Sequence, residues 1–353
     1  MSEYLEEITQ AIDFDSVEEF LNGHLRTEVT FEELVSRIAA DGLDALNAEN
    51  ITTFVFDTLF YELSIAKPIF LKMLIFSVLF SIIHKFLVTK NKYISDMGFL
   101  MIYTVLMVFL MQSFFMVRDI ALEGINTLLG FLNALIPTYA ATMVLSGNAI
   151  SGAMLYELAF FLVYLVEIMM KYFLSPVIHV FVLVLFLNHL FEEDKLSKLA
   201  QFMESAVQVI LKTAFGAVVG LGVVQSMLTP AKDRLAGNTL LSGLSAIPGI
   251  GNAIGAGGEV LLSCGMLIKS SVGVVALVIL VFLAVIPVLK IGCFGVMYHL
   301  LSILLQPVAD KRITECVSGV ARGCGLYLRI ILYTMMLFFV LFSVISAATS
   351  FVY

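Results

Sequence analysis

The chain has no tryptophan, four cysteines and seven prolines in 353 residues, and only 14% of its side chains are charged. Each shortage excludes something. A soluble domain carries about a quarter charged residues and is near half apolar. Here 60% of residues are hydrophobic and the mean hydropathy is +1.00. That balance excludes an ordinary cytosolic enzyme, a disordered chain and a nucleic-acid binder. Cys264, Cys293, Cys316 and Cys324 form no C-x-x-C pair and no metal-ligand spacing. They read as small membrane-helix residues, not as a disulfide framework or a metal centre. Without Trp the usual interfacial belt is missing, and the twelve tyrosines are the candidates to replace it.

Catalytic motifs are lacking too. The five histidines (His24, His84, His179, His189, His299) are isolated. There is no H-E-x-x-H, no G-x-S-x-G and no G-x-G-D, so no protease, hydrolase or metal chemistry is expected. No Walker A sequence occurs, so any ATPase that works with this chain is another polypeptide. No cofactor and no nucleic acid are expected.

What is present is unevenly placed. Residues 1–66 hold 15 acidic and 2 basic side chains, a net −13, which leaves +5 for the rest of a chain of formal charge −8. This predicts a small acidic soluble head, residues 1–66, on a helical membrane body. The head has no 15-residue apolar run and no basic n-region, so it does not read as a signal peptide. Ser16-Val17-Glu18-Glu19 and Thr30-Phe31-Glu32-Glu33 fit capping boxes, and Phe31, Leu34, Val35 and Ile38 recur at helical spacing.

Apolar runs at 69–88 and 97–117 predict the first two spans (domain 67–117). Lys85, Lys90 and Lys92 lie between them, and Asp57 and Glu62 precede them. The positive-inside rule then puts the lysine loop in the cytoplasm and the head outside. Lys72 is close enough to a span end to snorkel. Further apolar runs cover 128–145, interrupted by Pro137, and 154–190. The latter is too long for one crossing of a core about 30 Å thick, with a natural break at 171–176. Residues 196–214 are amphipathic, with Leu196, Leu199, Met203, Ala206, Val207 and Ile210 on one side, and lead into apolar 215–228. Later runs are 271–289, 291–305 and 326–348. Lys311, Arg312, Arg322 and Arg329 belong inside, which puts the C-terminus outside.

Two landmarks recur. Asn126-Thr127-Leu128-Leu129 precedes Ile136-Pro137, and Asn238-Thr239-Leu240-Leu241 precedes Ile247-Pro248; Asp194-Lys195 is answered by Asp310-Lys311. The same order of features predicts tandem units, 118–232 and 233–353. If both Asp-Lys loops are cytoplasmic, each unit crosses an even number of times and the repeats are parallel. The expected fold class is all-α: a polytopic helical membrane protein with two tandem, parallel repeats, short or broken helices and a small soluble helical N-terminal region.

Half of the 24 glycines fall between positions 216 and 273. Gly216-x-x-x-Gly220, Gly251-x-x-x-Gly255 and Gly257-Gly258 are candidates for close helix packing or for a broken helix lining a cavity. Residues 247–255 fit a re-entrant turn, and Glu259 follows it. Glu157, Glu167, Lys171, Lys269 and Lys290 also lie in or beside apolar runs, where ionisable groups pair or face water. Glu167 and Lys171, four apart, can pair on one helix face.

Three stretches carry a resemblance. They are Val224-Gln225-Ser226-Met227-Leu228-Thr229-Pro230-Ala231-Lys232-Asp233-Arg234 with the following Gly237-Asn238-Thr239, the run from Pro248 through Glu259 to Lys269-Ser270-Ser271-Val272-Gly273, and Gln306-Pro307-Val308-Ala309-Asp310-Lys311-Arg312-Ile313. Together they resemble the stage III sporulation protein AE family. The resemblance implies a polytopic component of a secretion-like channel complex joining mother cell and forespore during endospore development. Implied partners, besides the lipid bilayer, are a cytosolic ATPase and other proteins of the same operon, ring-forming proteins between the membranes, and a forespore-membrane protein. It implies no catalytic residue. A permease-like or export-gate-like subunit is the leading expectation. A non-conducting scaffold and an independent secondary transporter are the alternatives. Gln306, Pro307, Asp310, Lys311 and Arg312 are the expected cytoplasmic docking residues.

Overall fold

A computed structural model describes residues 12–24, 30–41, 48–87, 92–146, 149–190, 195–220 and 251–350. Among them there is no strand. The helices are α1 (Asp15–His24), α2 (Phe31–Asp41), α3 (Ala48–Leu87), α4 (Lys92–Leu145), α5 (Ala149–Val166), a π-helical stretch (Glu167–Leu174), α6 (Ser175–Leu190), α7 (Ser197–Gly220), α8 (Gly251–Leu305) and α9 (Lys311–Ser350). Six helical stretches are long and apolar enough to cross a membrane. The chain is an all-α, multi-pass membrane protein.

The helices run longer than the apolar runs alone predict. The runs at 97–117 and 128–145 are joined in α4, 54 residues without interruption. The reason lies in the stretch between them. Val117, Ala121, Ile125 and Leu128 continue one buried stripe at helical spacing, so the core face never stops. Pro137 removes one backbone donor but occupies an exposed position, and α4 carries on past it. Likewise 271–289 and 291–305 belong to α8, which passes through Pro287. A Cβ on Gly124 of α4 would lie 2.7 Å from Cβ of Pro287. The proline ring is seated against a residue with no side chain. The break expected at 171–176 does not occur: α5, the π-helical stretch and α6 follow without interruption, and Glu157–Leu190 is one long apolar stretch, with a change of helix type ending just before Ser175-Pro176. The head boundary at 66/67 and the boundary at 117/118 both fall inside continuous helices.

Contacts between helices give the directions. Gly124 meets Pro287 and Gly273 meets Tyr139, so α4 and α8 are antiparallel. Phe114 meets Tyr327 and Tyr139 meets Phe342, so α4 and α9 are parallel. Ser81 bonds Val308, just past α8, while Glu62 pairs with Lys290, so α3 runs with α8. Gly319 meets Leu185 and Gly323 meets Val182, so α6 runs against α9. Glu204 pairs with Arg322 and Phe215 with Tyr333, so α7 runs with α9. The long helices alternate in direction. The C-terminal ends of α3, α6 and α8 fall at one end of the bundle, with the 306–310 turn.

The head packs toward the other end. Phe31, Val35 and Ile38 of α2 are buried as the spacing predicts, and Leu34 is partly buried. Thr30 caps α2, its Oγ1 accepting from Glu33 N at 3.2 Å. Ser16 does not cap α1, which begins one residue earlier. There Asp13 Oδ1 accepts from Asp15 N at 3.0 Å. Phe20 of α1 packs at a tilt against Phe131 of α4 and occupies the space over Gly130. Thr138 Oγ1 donates to the Asp13 carbonyl at 3.0 Å.

Candidate functional site: a polar layer and charged rim inside the bundle

The exposed face of α4 changes character at Arg118. From Met97 to Met116 its exposed side chains are Met97, Leu100, Met101, Val105, Val108, Phe115 and Met116, interrupted by Thr104 and Gln112. Thr104 satisfies its own hydroxyl on the Leu100 carbonyl at 2.7 Å. Beyond Arg118 the exposed side chains include Asp119, Glu123, Asn126 and Asn133. The apolar part is about 30 Å long at 1.5 Å per residue, the thickness of a hydrocarbon core. Exposed tyrosines flank it: Tyr93 at one end, and Tyr61 and Tyr172 on neighbouring helices near the other. They occupy the levels where the missing Trp would be sought.

Charged groups gather at the Arg118 level. Glu62 is buried, and its carboxylate lies 3.5 Å from Lys290 Nζ. Glu167 and Lys171 pair at 3.2 Å, as their spacing predicts. Lys72 is exposed on α3 one turn from Phe76, whose ring packs on Phe109, so it lies inside the apolar part and not at the Arg118 level.

Within the apolar part, hydroxyls converge in the core. Tyr298 of α8 donates to Ser113 Oγ of α4 at 2.6 Å. Tyr327 of α9 lies 3.0 Å from Ser175 Oγ and 3.0 Å from His179 Nδ1. Phe114 packs between them, its ring centroid 5.3 Å from that of His179 and 5.7 Å from that of Tyr327. Tyr103 donates to the Phe186 carbonyl at 2.7 Å. A hydroxyl in hydrocarbon is costly unless bonded, so these contacts tie α4, α6, α8 and α9 in register. The Nε2 of His179 and the Nε of Arg118 are buried without a hydrogen-bond partner. Among the described residues no group of three or more metal-ligating side chains occurs. Cys293, Cys316 and Cys324 are buried free thiols.

The expected packing glycines divide. Gly216 and Gly220 on α7 have open space where a Cβ would point. Gly251, Gly255, Gly257, Gly258 and Glu259 occupy the first turns of α8, and their surroundings lie outside the described residues, as do positions 221–250. The tight glycines are others. A Cβ on Gly323 would lie 2.6 Å from Val182 and 2.8 Å from Phe114, and one on Gly319 3.2 Å from Leu185. Gly319-x-x-x-Gly323 carries the same small-residue signal as the pairs singled out from the sequence and was overlooked there. The Glu62–Lys290 pair had no local signal, its members being 228 positions apart.

The turn between α8 and α9 presents Gln306 and Pro307 to solvent. Asp310 Oδ1 accepts from Arg312 N at 2.9 Å and lies 3.5 Å from Arg312 Nε. Lys311 is exposed.

Comparison with known proteins completes the picture. Residues 29–349 match the family model described as stage III sporulation protein AE. The stage III sporulation protein AE of Bacillus subtilis (strain 168) is 24% identical over 358 residues, covering 98% of this chain and 89% of that protein. No solved structure matches. The matched range takes in all six long helical stretches as well as α2. A bundle of this composition, matched along nearly its whole length, belongs to the stage III sporulation protein AE family.

Proposed function

We propose that this chain is an integral membrane subunit of the secretion-like channel complex between mother cell and forespore, permease-like or export-gate-like, in the mother-cell membrane around the forespore. The observation that carries this reading is the division of α4 into an apolar face about 30 Å long and a polar face beyond it. One end of the bundle carries the basic loops and belongs in the cytoplasm by the positive-inside rule. The other carries the acidic head and belongs between the two membranes. The exposed Gln306-Pro307 turn with Asp310, Lys311 and Arg312 serves as the docking edge for a cytosolic ATPase. The head serves ring-forming proteins and, through them, a forespore-membrane partner. No nucleic acid is bound.

The polar layer around Ser113, Tyr298, Tyr327 and His179 supports the conducting form, because hydroxyls and an imidazole are the groups a gated polar path would use. Burial of that layer within one chain favours the second reading, a non-conducting scaffold. Duplication is part of the proposal. The last described helices of the two units, α7 and α9, run side by side with an offset of 118 residues at both Glu204–Arg322 and Phe215–Tyr333, close to the spacing of the Asp-Lys landmarks.

Thiol accessibility separates the readings. Cysteines introduced at Ser113, Gly255 and Glu259 are probed with a water-soluble reagent in sporulating cells. Labelling that depends on the partner ATPase is the conducting outcome. Inert sites, together with loss of complex assembly on substitution, leave only the scaffold.

A further inference from the structure

A cavity of about 300 Å³ opens where the end of α6 meets the first turns of α7 and α9. Lys311, Arg312 and Arg322 bring three cations to it, and Glu315 a carboxylate. Arg312 is held on Asp310 and over the Phe99 ring. Arg322 pairs with Glu204 and lies 5.4 Å over the Phe181 ring. Lys311 and Glu315 are both exposed, and neither is engaged in an ion pair among the described residues.

Depth decides what such a cavity can hold. Phe99, under Arg312, lies at the end of the apolar face of α4, so the cavity mouth is at headgroup level. Arg322 is ten residues further along α9, about 15 Å into the apolar band. Leu185 and Ala200 form apolar wall, and Gln201 and Arg322 lie on the exposed sides of their helices. Two helices also begin there, α7 and α9, with their positive dipole ends; Asp310 already accepts from Arg312 N, and Asn188 from Leu196 N just ahead of α7. An anion at the rim, on Lys311, with its apolar body along the band beside Leu185 and Ala200, fits the exposed cation and the depth; Arg322, further in, is already paired with Glu204. Basic pockets between transmembrane helices near the cytoplasmic surface are where lipid headgroups bind.

We propose that this cavity binds one glycerophospholipid at its mouth, its phosphate on Lys311 and the ammonium of an ethanolamine headgroup on Glu315. A soluble acidic peptide fits less well, since the cavity reaches into the apolar band. The Gln306-Pro307 turn, outside the cavity, stays free for a protein partner.

The test uses the full chain in detergent, stripped of lipid and titrated with phosphatidylethanolamine, phosphatidylglycerol or soluble phosphoethanolamine while native mass spectra are recorded. The expected result is one phosphatidylethanolamine per chain, retained at least tenfold better than phosphatidylglycerol and not displaced by equimolar phosphoethanolamine. Lys311→Gln lowers retention about tenfold. Glu315→Gln abolishes the preference between the two lipids, a ratio that a merely structural role would not move. Circular dichroism establishes that both variants fold. Equal retention of the two lipids, or an unchanged ratio in Glu315→Gln, overturns the proposal. Displacement by phosphoethanolamine overturns the lipid and assigns the cavity to a soluble phosphate compound.

Discussion

The guanidinium carbon of Arg312 lies 3.5 Å from the centroid of the Phe99 ring. This cation–π contact brings the first turn of α9 beside the early turns of α4. The start of α4 and the 306–310 turn, more than 200 residues apart, therefore share one end of the bundle. Reporter fusions at Lys92 and at Lys311 are expected to read the same compartment, the cytoplasm. Opposite readings at the two sites would break the alternation of helices.

Gly323 has no room for a side chain. Its substitution by Val drives methyl groups into Val182 and the Phe114 ring, and overpacking of this kind costs about 1–3 kcal/mol. Gly325, two positions on, has open space where a Cβ would point. Gly325→Ala is expected to leave stability unchanged or raise it by up to about 1 kcal/mol through helix propensity. Denaturation of the detergent-solubilised chain reads both, and equal effects would remove the packing argument.

Glu62 is a buried carboxylate whose partner, Lys290, is about a third exposed. Partial exposure screens the pair, so a double-mutant cycle with Glu62→Gln and Lys290→Met is expected to give a coupling of about 1 kcal/mol. Additive single effects would show that α3 and α8 are held by apolar packing alone.

Tyr327→Phe removes the hydroxyl shared by Ser175 and His179 while keeping the ring against Phe114. The expected loss is about 1–2 kcal/mol, one net hydrogen bond and a buried polar group left with fewer partners. An unchanged midpoint in the same denaturation experiment would mean that the polar layer does not hold the helices in register.

The membrane character, the Glu167–Lys171 pair and the apolar stripe of α2 were legible because each is a local pattern. Helix length was not. Pro137 and Pro287 are local break signals, but the buried stripes on either side continue in phase, and tertiary packing overrides the interruption. The expected apolar face of α7 holds in most of its residues: Val207 is buried and Leu196, Met203 and Ile210 pack against the core. Leu199, placed on its apolar side, is exposed, while Ala200, Val207, Leu211, Ala214 and Val218 form the buried stripe. Glu204 of the same helix is half-buried and pairs with Arg322 of α9. With apolar residues on several sides of a membrane helix, a polar residue's distant partner sets the rotation, and sequence spacing does not contain it. The family stretches at 224–239 and 248–250 fall outside the described residues.

The central claim is that the apolar face of α4 crosses the bilayer, with the head and the polar end of the bundle outside and the 306–310 turn inside. A variant lacking the four native cysteines, carrying Cys at Asn126 or at Gln306, is treated in spheroplasts with a membrane-impermeant thiol reagent. The account predicts labelling of position 126 in intact spheroplasts and of position 306 only after permeabilisation. Labelling of 306 from outside, or protection of 126 until the membrane is opened, would contradict it.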